Sequence, residues 1–593
     1  MIDYDRLTAA YQRARRDLLA QRVPAGHWVG RLSSSALSTA TAVSGLSLVS
    51  DHTTDDSRRK ACRQLAERGI GFLAQCQNND GGWGDTDKSF SNISTTMLVR
   101  AAFHLAGSAK GHPELLARAD NYIDAEGGIT ALKQRYGTDK TFAVPILTNC
   151  ALAELVSWRE VAPLPFELAC LPHRVLRFLR LPVVSYAIPA LVAIGQAQYF
   201  HRKPGNPATW LIRRLCVGGS LKVLERMQPA SGGFLEAIPL TSFVMMGLAG
   251  TGRVDHPVVR NGVKFLLASI RSDGSWPIDS NLATWNTSGA IKALAAATGD
   301  VGALGCLDWL LGCQHRRVHP FTRAAAGGWG WTDLSGAVPD VDDTSAALLA
   351  LVAMSNSAAM AGRQQIQTAA IEGVNWLLDL QNADGGWPTF CRGWGTLPFD
   401  RSGCDLTAHA IRAMSSWRSL VDRTRVDRAI KNGLEYLARH QHSDGSWNPL
   451  WFGNQNYPAD ENPVYGTARV LLAYRDLGLI RGEAARRGLQ WLAAKRCADG
   501  GWGAGADAEV SGVEETAVAV EALLSGYPDP SLQASIDEGL AWLTSAVESG
   551  RHRETAPIGL YFARLWYHEV MYPLTFTVAG LGEAVRRLTP ATP

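Results

Sequence analysis

The sequence predicts an all-α protein of helical hairpins stacked into barrels, and three observations carry that prediction. A turn motif, Asp-Gly-Gly/Ser-Trp, recurs along the chain; apolar runs of helical length flank each copy; and the apolar-polar alternation of strands is almost absent. Length permits it, since 593 residues exceed one ordinary core of about 100 to 200 residues.

The repeating unit is an amphipathic helix with an aromatic in its middle, often a Gln, the turn, and a second apolar run. Copies run from Gly71 to Gln77-Asn-Asn-Asp-Gly-Gly-Trp83, Val263 to Asp273-Gly-Ser-Trp276, and Trp376 to Gln381-Asn-Ala-Asp-Gly-Gly-Trp387. Two more run from Tyr436 to Gln441-His-Ser-Asp-Gly-Ser-Trp447 and from Trp491 to Asp499-Gly-Gly-Trp502. Trp309 to Gln314, closed by Gly327-Gly-Trp329, has a longer turn, and Gln228 to Gly232-Gly-Phe234 is degenerate. The later copies recur about every 53 to 60 residues, a helical-repeat period. Glycine ends a helix by entering the left-handed region without steric cost, while Gln and Trp pack and hydrogen-bond to clamp the turn onto the next helix. Trp83, Trp276, Trp387, Trp447 and Trp502 are therefore expected to staple turns. Trp285, Trp331 and Trp451 lie outside the unit.

Composition excludes several classes. Charged residues are 19% of the chain against a usual figure of about 25%, and the formal charge of +3 comes without a Lys/Arg block, so nucleic acid is not an expected partner. The ten Cys form no C-x-x-C pair, and Cys306 and Cys313 have no His at zinc spacing; free thiols in a reducing compartment are expected. Residues 1–16 are mixed and charged, unlike a signal peptide, which predicts a cytoplasmic protein. The most lipophilic stretch, Leu181 to Phe200, is broken by Pro182, Pro189 and Gln196. It falls short of about 20 clean apolar residues, so it is expected to lie on a membrane and not to cross it.

Chemistry concentrates in Pro339-Asp-Val-Asp-Asp-Thr344, directly before the apolar run Ser345-Ala-Ala-Leu-Leu-Ala-Leu351. Acidic residues there can cap a helix and complement its dipole. They can also form an acid site: close carboxylates in a dry cavity cannot all ionise, so at least one stays neutral at pH 7. A metal site would need more ligands than one turn supplies, and no Asp-Asp-x-x-Asp cluster occurs.

The repeat is similar to the Gln-Trp motif of squalene-hopene and oxidosqualene cyclases, and Asp340-Val-Asp-Asp-Thr344 resembles the acid motif of the bacterial squalene-hopene branch; the oxidosqualene branch typically carries Asp-Cys-Thr-Ala-Glu. The likeness runs from about Gly26 to the C-terminus. It implies two α/α barrels, the double-barrel terpene cyclase fold: residues 1–20 a helix packing on the carboxy-terminal barrel, 21–278 an inserted barrel, and 279–593 the catalytic barrel. It also implies that Asp342 is the proton donor and that His409, in Asp405-Leu-Thr-Ala-His409, polarises it. Asp405 would help hold the pair, and Asp340 and Asp343 would tune it.

A carbocation is guided best by π faces, each worth about 0.5 to 2 kcal/mol. The resemblance assigns that lining to Trp329 and Trp331 (Gly327-Gly-Trp-Gly-Trp331), Trp285, Phe390, Trp451 and Tyr465, with Tyr561 and Phe562 near the C-terminus. Ile146 stands where the family has a cavity Trp, and Ile238 where it has a cavity Gln, so the end of the cavity that terminates the cascade is expected to differ.

The function so implied is proton-initiated polycyclisation of squalene, or a close linear triterpene, to a hopene-like product without cofactor or metal. The isoprenoid would be drawn from the bilayer by a monotopic protein on the cytoplasmic face; a homodimer is left open. One alternative is a class II cyclase of a shorter prenyl diphosphate, with Lys140, Arg316, Arg317 and Arg323 as candidate diphosphate ligands. Another is a non-catalytic prenyl-binding barrel subunit, which would need zinc ligands that the sequence lacks.

Overall fold

In a computed structural model residues 3–137, 139–172, 185–298, 301–320, 322–355, 360–392, 399–505, 510–560 and 565–588 are described, and these are mostly helical. After α1 (Tyr4–Ala20) the chain forms α2 (Ala36–His52), α3 (Asp56–Gln75), α4 (Ile93–Leu105), α5 (Pro113–Glu126), α6 (Gly128–Tyr136) and α7 (Lys140–Leu152). It continues with α8 (Ile188–His201), α9 (Pro207–Met227), α10 (Ile238–Ala249) and α11 (Pro257–Ser269). Among these, α2, α4, α7, α8 and α10 pack in a closed ring, with α3, α5, α9 and α11 outside it.

The second half forms α12 (Ala283–Thr298), α13 (Leu307–Gly312), α14 (Val341–Ser355), α15 (Met360–Leu380), α16 (Cys404–Ser416) and α17 (Arg423–Arg439). It ends with α18 (Pro463–Asp476), α19 (Glu483–Ala494), α20 (Val513–Leu524), α21 (Pro530–Ser549) and α22 (Met571–Leu588). Helices α12, α14, α16, α18, α20 and α22 close a second ring, and α1 packs against α21 and α22 on its outside.

The repeats explain the rings. At Trp387 the indole N–H donates to the Leu377 carbonyl at the end of the outer helix (2.8 Å), and the backbone amide donates to Thr407 Oγ1 on the next inner helix (3.0 Å). Gln381 Nε2 bridges the Gly385 carbonyl and that of Ala429 on the next outer helix (2.8 and 2.9 Å). Gly385 takes φ +93°, and a Cβ there would stand 2.5 Å from the Asn432 carbonyl, so only glycine fits. The same indole-to-carbonyl and amide-to-threonine pair recurs at Trp83, Trp276, Trp447 and Trp502, each Trp fully buried.

An eighth copy escapes the motif. Trp28 donates its indole N–H to Leu18 of α1 (2.8 Å) and its amide to Thr287 of α12 (3.0 Å), so α1 is the outer helix of a repeat in the second barrel.

Two expectations need correction. The described part of the lipophilic stretch is α8, an inner-ring helix whose residues from Val192 to Tyr199 are all buried; its lipophilicity reflects burial on every side, not a membrane face. The last residue of the stretch, Phe200, is exposed, and α9 exposes Leu211, Ile212 and Leu215 (50–74% for the four), while other exposed apolar residues, such as Phe90 and Val510, lie elsewhere. A two-stranded hairpin, β1 (Ile558–Leu560) with β2 (Leu565–Tyr567), also forms where no strand was expected. It ties the carboxy-terminal segment to the first barrel: the Trp566 amide donates to buried Asp85 (2.8 Å).

Candidate active site

The acidic motif begins α14, and its three carboxylates do different things. Asp340 Oδ1 accepts the Asp343 amide (2.8 Å), the i to i+3 bond of a helix cap. Thr344 Oγ1 accepts the Trp329 amide (2.9 Å), the threonine clamp of the repeat. Asp342, in the first turn, is left to face a cavity, with 23% of its side chain accessible there. The capping role thus falls to Asp340, while Asp342 faces the cavity.

His409 reaches across from α16, its Nδ1 2.6 Å from Asp342 Oδ1. Burial pushes the Asp342 carboxyl up to about 6 against the pull of Arg469 and Lys292. Burial, aided by the cations Lys292, Arg412 and Arg469, drives His409 well below the ordinary histidine range, so the imidazole is neutral. Burial raises Asp340 to about 7 and, with the charge of Asp340, holds Asp343 well above the usual carboxylate range. Asp340 Oδ2 and Asp343 Oδ1 are buried without a donor, which suits a proton held between the two acids.

Asp405 lies one turn before His409 on α16, but its carboxylate is bound to the Leu450 and Trp451 amides (2.9 and 3.1 Å). It holds the turn, and not the Asp342–His409 pair as expected. Phe452, next in that turn, adopts φ +69° and stacks on Tyr465 (4.4 Å between ring centres).

The aromatics form two connected groups. Beside the acid, Trp285 stands edge-on to His409 (6.3 Å) and near Phe452 (6.0 Å), with Tyr465, Tyr572 and Phe576 adjoining. Farther on, Phe390 meets Trp331 (6.2 Å), Trp451 (6.4 Å) and Tyr186 (4.8 Å), where the cores of the two barrels join. Trp451 is fixed by its indole N–H on Thr389 Oγ1 (2.9 Å). Ile146 and Ile238 are buried in the apolar core of the first barrel, in the cluster that includes Phe390.

Trp329 departs from expectation. Its indole donates to the Leu310 carbonyl (2.8 Å), and its ring backs onto Gly373 and is fully buried. It staples a turn like the other repeat tryptophans, leaving Trp331 as the member of that pair at the barrel junction. Tyr561 and Phe562 lie outside the described residues.

Sequence reasoning missed Lys292 and Arg469. Lys292 Nζ lies 3.4 Å from His409 Nε2, and Arg469 covers the rings of Tyr465 and Phe576 at 4.6 and 5.0 Å. The signal was present: each is one cation inside an apolar run, Lys292 seven residues after Trp285 and Arg469 four after Tyr465, helical spacings that share a face. The four cations named for a diphosphate, Lys140, Arg316, Arg317 and Arg323, are all exposed, Arg316 being paired with Glu372 (3.0 Å).

A half-buried carboxyl facing a cavity and paired with a neutral histidine, set among aromatic rings in a helical double barrel, defines the protein's class as a class II terpene cyclase. The chain matches the squalene-hopene cyclase C-terminal domain over residues 280–586 and the N-terminal domain over 11–192; it belongs to the squalene-hopene cyclase family. A probable squalene-hopene cyclase from Sinorhizobium fredii is 24% identical over 92% of this chain and 89% of that one. Drimenyl diphosphate synthase from Streptomyces showdoensis is 32% identical over 49% of this chain and 48% of its own. The ent-copalyl diphosphate synthase of Streptomyces platensis shares the fold, with TM-score 0.57 at 18% identity over 99% of this chain and all of that one.

Proposed function

We propose that the protein cyclises squalene, or a close linear triterpene, to a hopene-like polycycle, with Asp342 as proton donor. The observation that carries this reading is the Asp342–His409 contact at 2.6 Å, opening on a cavity also lined by Trp285, Tyr465 and Phe576. An alkene is a very weak base, so the acid must leave behind a stabilised carboxylate; the hydrogen bond to His409 and the nearby cations Lys292 and Arg469 supply that. The proton goes from Asp342 to the terminal alkene carbon, the neighbouring π bonds close in turn, and the last cation loses a proton or captures water. Aromatic faces steady the intermediate cations, and no residue has to bond to them.

Lys140, Arg316, Arg317 and Arg323 are exposed and do not line the cavity, which speaks against those four as diphosphate ligands; the cations that line it are Lys292, Arg412 and Arg469. The likeness to drimenyl diphosphate synthase supports the second reading, a cyclase of a shorter prenyl diphosphate. Incubation with squalene, oxidosqualene, farnesyl diphosphate and geranylgeranyl diphosphate, followed by mass spectrometry, separates them. A cyclic hydrocarbon from squalene is expected; turnover confined to the diphosphates overturns the squalene reading.

Uptake from the bilayer is part of the proposal. Among the described residues no helix is long and apolar enough to cross a membrane, while α9 exposes Leu211, Ile212 and Leu215 within two turns. Replacing the three with Ser is expected to abolish liposome flotation; flotation unchanged by that replacement, or absent in the unaltered protein, sinks the membrane claim.

A further inference from the structure

We propose that Lys292 is a positioning residue for the acid: its ammonium group, set against His409 Nε2, fixes the imidazole in the tautomer that carries its hydrogen on Nδ1 and points it at Asp342. This rests on Asp342 being the proton donor. The imidazole bridges the other two groups, Lys292 Nζ 3.4 Å from Nε2 and Nδ1 2.6 Å from Asp342 Oδ1, the three drawn from α12, α16 and α14.

The chemistry follows from what each group can offer. An ammonium only donates, so the ring nitrogen facing it must accept, and a neutral imidazole has one accepting and one donating nitrogen. The donating one is then Nδ1. Its hydrogen bond to Oδ1 leaves Oδ2 as the proton-bearing oxygen and strengthens as that proton departs, because the carboxylate is the better acceptor. Without Lys292 either tautomer is open to His409, and one of them would accept from Asp342 and hold back the proton to be given away.

The surroundings single out this lysine. Asp342 of α14, Asp405, His409 and Arg412 of α16, Tyr465 and Arg469 of α18, Glu521 of α20 and Tyr572 of α22 are the ionisable groups that line the cavity with it. Arg412 is tied to Asp476 (2.7 Å), and Arg469 lies over two rings. Burial and these two arginines bring Lys292 down to about 7, while Asp342 and Glu521 oppose that, so its charge is retained where Asp342 is protonated.

Lys292→Met and Lys292→Arg test this. The Met variant is expected to lose about ten- to a hundredfold in kcat with KM unchanged. The alkaline limb of its pH profile should move upward, because a cation stabilising the Asp342 carboxylate has gone. Arg should restore most of kcat and the position of the limb. A Met variant with unaltered kcat and limb overturns the inference, as does one that changes KM alone. Nitrogen-15 NMR of histidine-labelled, substrate-free protein, with His409 assigned by its loss in His409→Asn, needs no turnover. Unprotonated Nε2 is expected, shifting toward protonated Nε2 in Lys292→Met; nitrogen shifts that do not respond to the substitution overturn the inference whatever the activity. If they respond while no polyprene is cyclised by the unaltered protein, the donor role of Asp342 fails and the Lys292–His409 relationship stands.

Discussion

His409 Nδ1 stands 2.6 Å from Asp342 Oδ1, a side chain of one inner helix reaching the first turn of another. If this pair starts the reaction, Asp342→Asn, which keeps the shape and loses the acid, should reduce cyclisation by at least about a thousandfold, within the range of a lost general acid. His409→Phe, which keeps the bulk and loses the hydrogen bond, should cost about a hundredfold. Product quantified by mass spectrometry at saturating substrate checks both. Cyclisation surviving in Asp342→Asn would remove the mechanism.

The same pair sets the pH dependence. Burial raises Asp342 to about 6, and the protonated form is the active one. Activity should therefore be full below that value and fall as pH rises through it, about tenfold per unit beyond. An ordinary carboxyl would lose activity about two units lower. Initial rates between pH 5 and 8 decide the matter, and a flat profile would place the proton elsewhere.

Stability should follow pH in the same direction. Asp340 and Asp405 are raised to about 7 and Glu569 to about 8, burial being the largest cause in each. A carboxyl with a raised folded value binds its proton more tightly folded than unfolded. Its contribution is whole below the unfolded value, near 4, and gone once pH exceeds the folded one. The melting temperature should fall steadily between pH 5 and pH 8.5. A rise over that interval would mean that these acids are ionised in the folded protein.

Asp405 offers a test of the cavity wall. Asp405→Ala leaves the Leu450 and Trp451 amides buried without their acceptor, at a cost of about 2–5 kcal/mol. The turn that holds Phe452 at φ +69° then loosens, and with it the rings of Trp451 and Phe452. Altered product ratios together with a lowered melting temperature are expected. A lowered melting temperature with unchanged products would make Asp405 structural only.

Much of this was legible in the sequence because the repeat is local. Gln, Gly and Trp act within one turn, so Gln381 to Trp387 announces its own geometry. The Thr that receives each Trp amide was not legible, since Thr407 lies 20 residues beyond Trp387 and threonine is common. Trp329 was misplaced because two motifs overlap there, and Gly327-Gly-Trp serves the turn first. Asp340 and Asp342 could not be told apart by spacing: a cap and an acid differ in where the chain turns before the helix, a tertiary property. Lys292 escaped because its meaning depends on His409, 117 positions away.

Trp28 shows what the missed copy is worth. Its turn lacks the Asp-Gly pair, reading Pro24-Ala-Gly-His-Trp28, yet its indole and amide bonds match those of the other copies. Those bonds attach α1 to α12, the helix that carries Trp285 and Lys292, so the first twenty residues brace the site from outside. Trp28→Ala should cost about 3–5 kcal/mol, a large buried aromatic removed from a packed core. Thr287→Val, which removes the hydroxyl that accepts from the Trp28 amide and donates to the Trp28 carbonyl, should cost about 1–3 kcal/mol. Denaturant unfolding measures both, and hydrogen exchange locates the loss. Exchange should quicken in α1 and α12 together in Trp28→Ala; quickening in α1 alone would mean that the amino-terminal helix packs on the barrel without supporting the site.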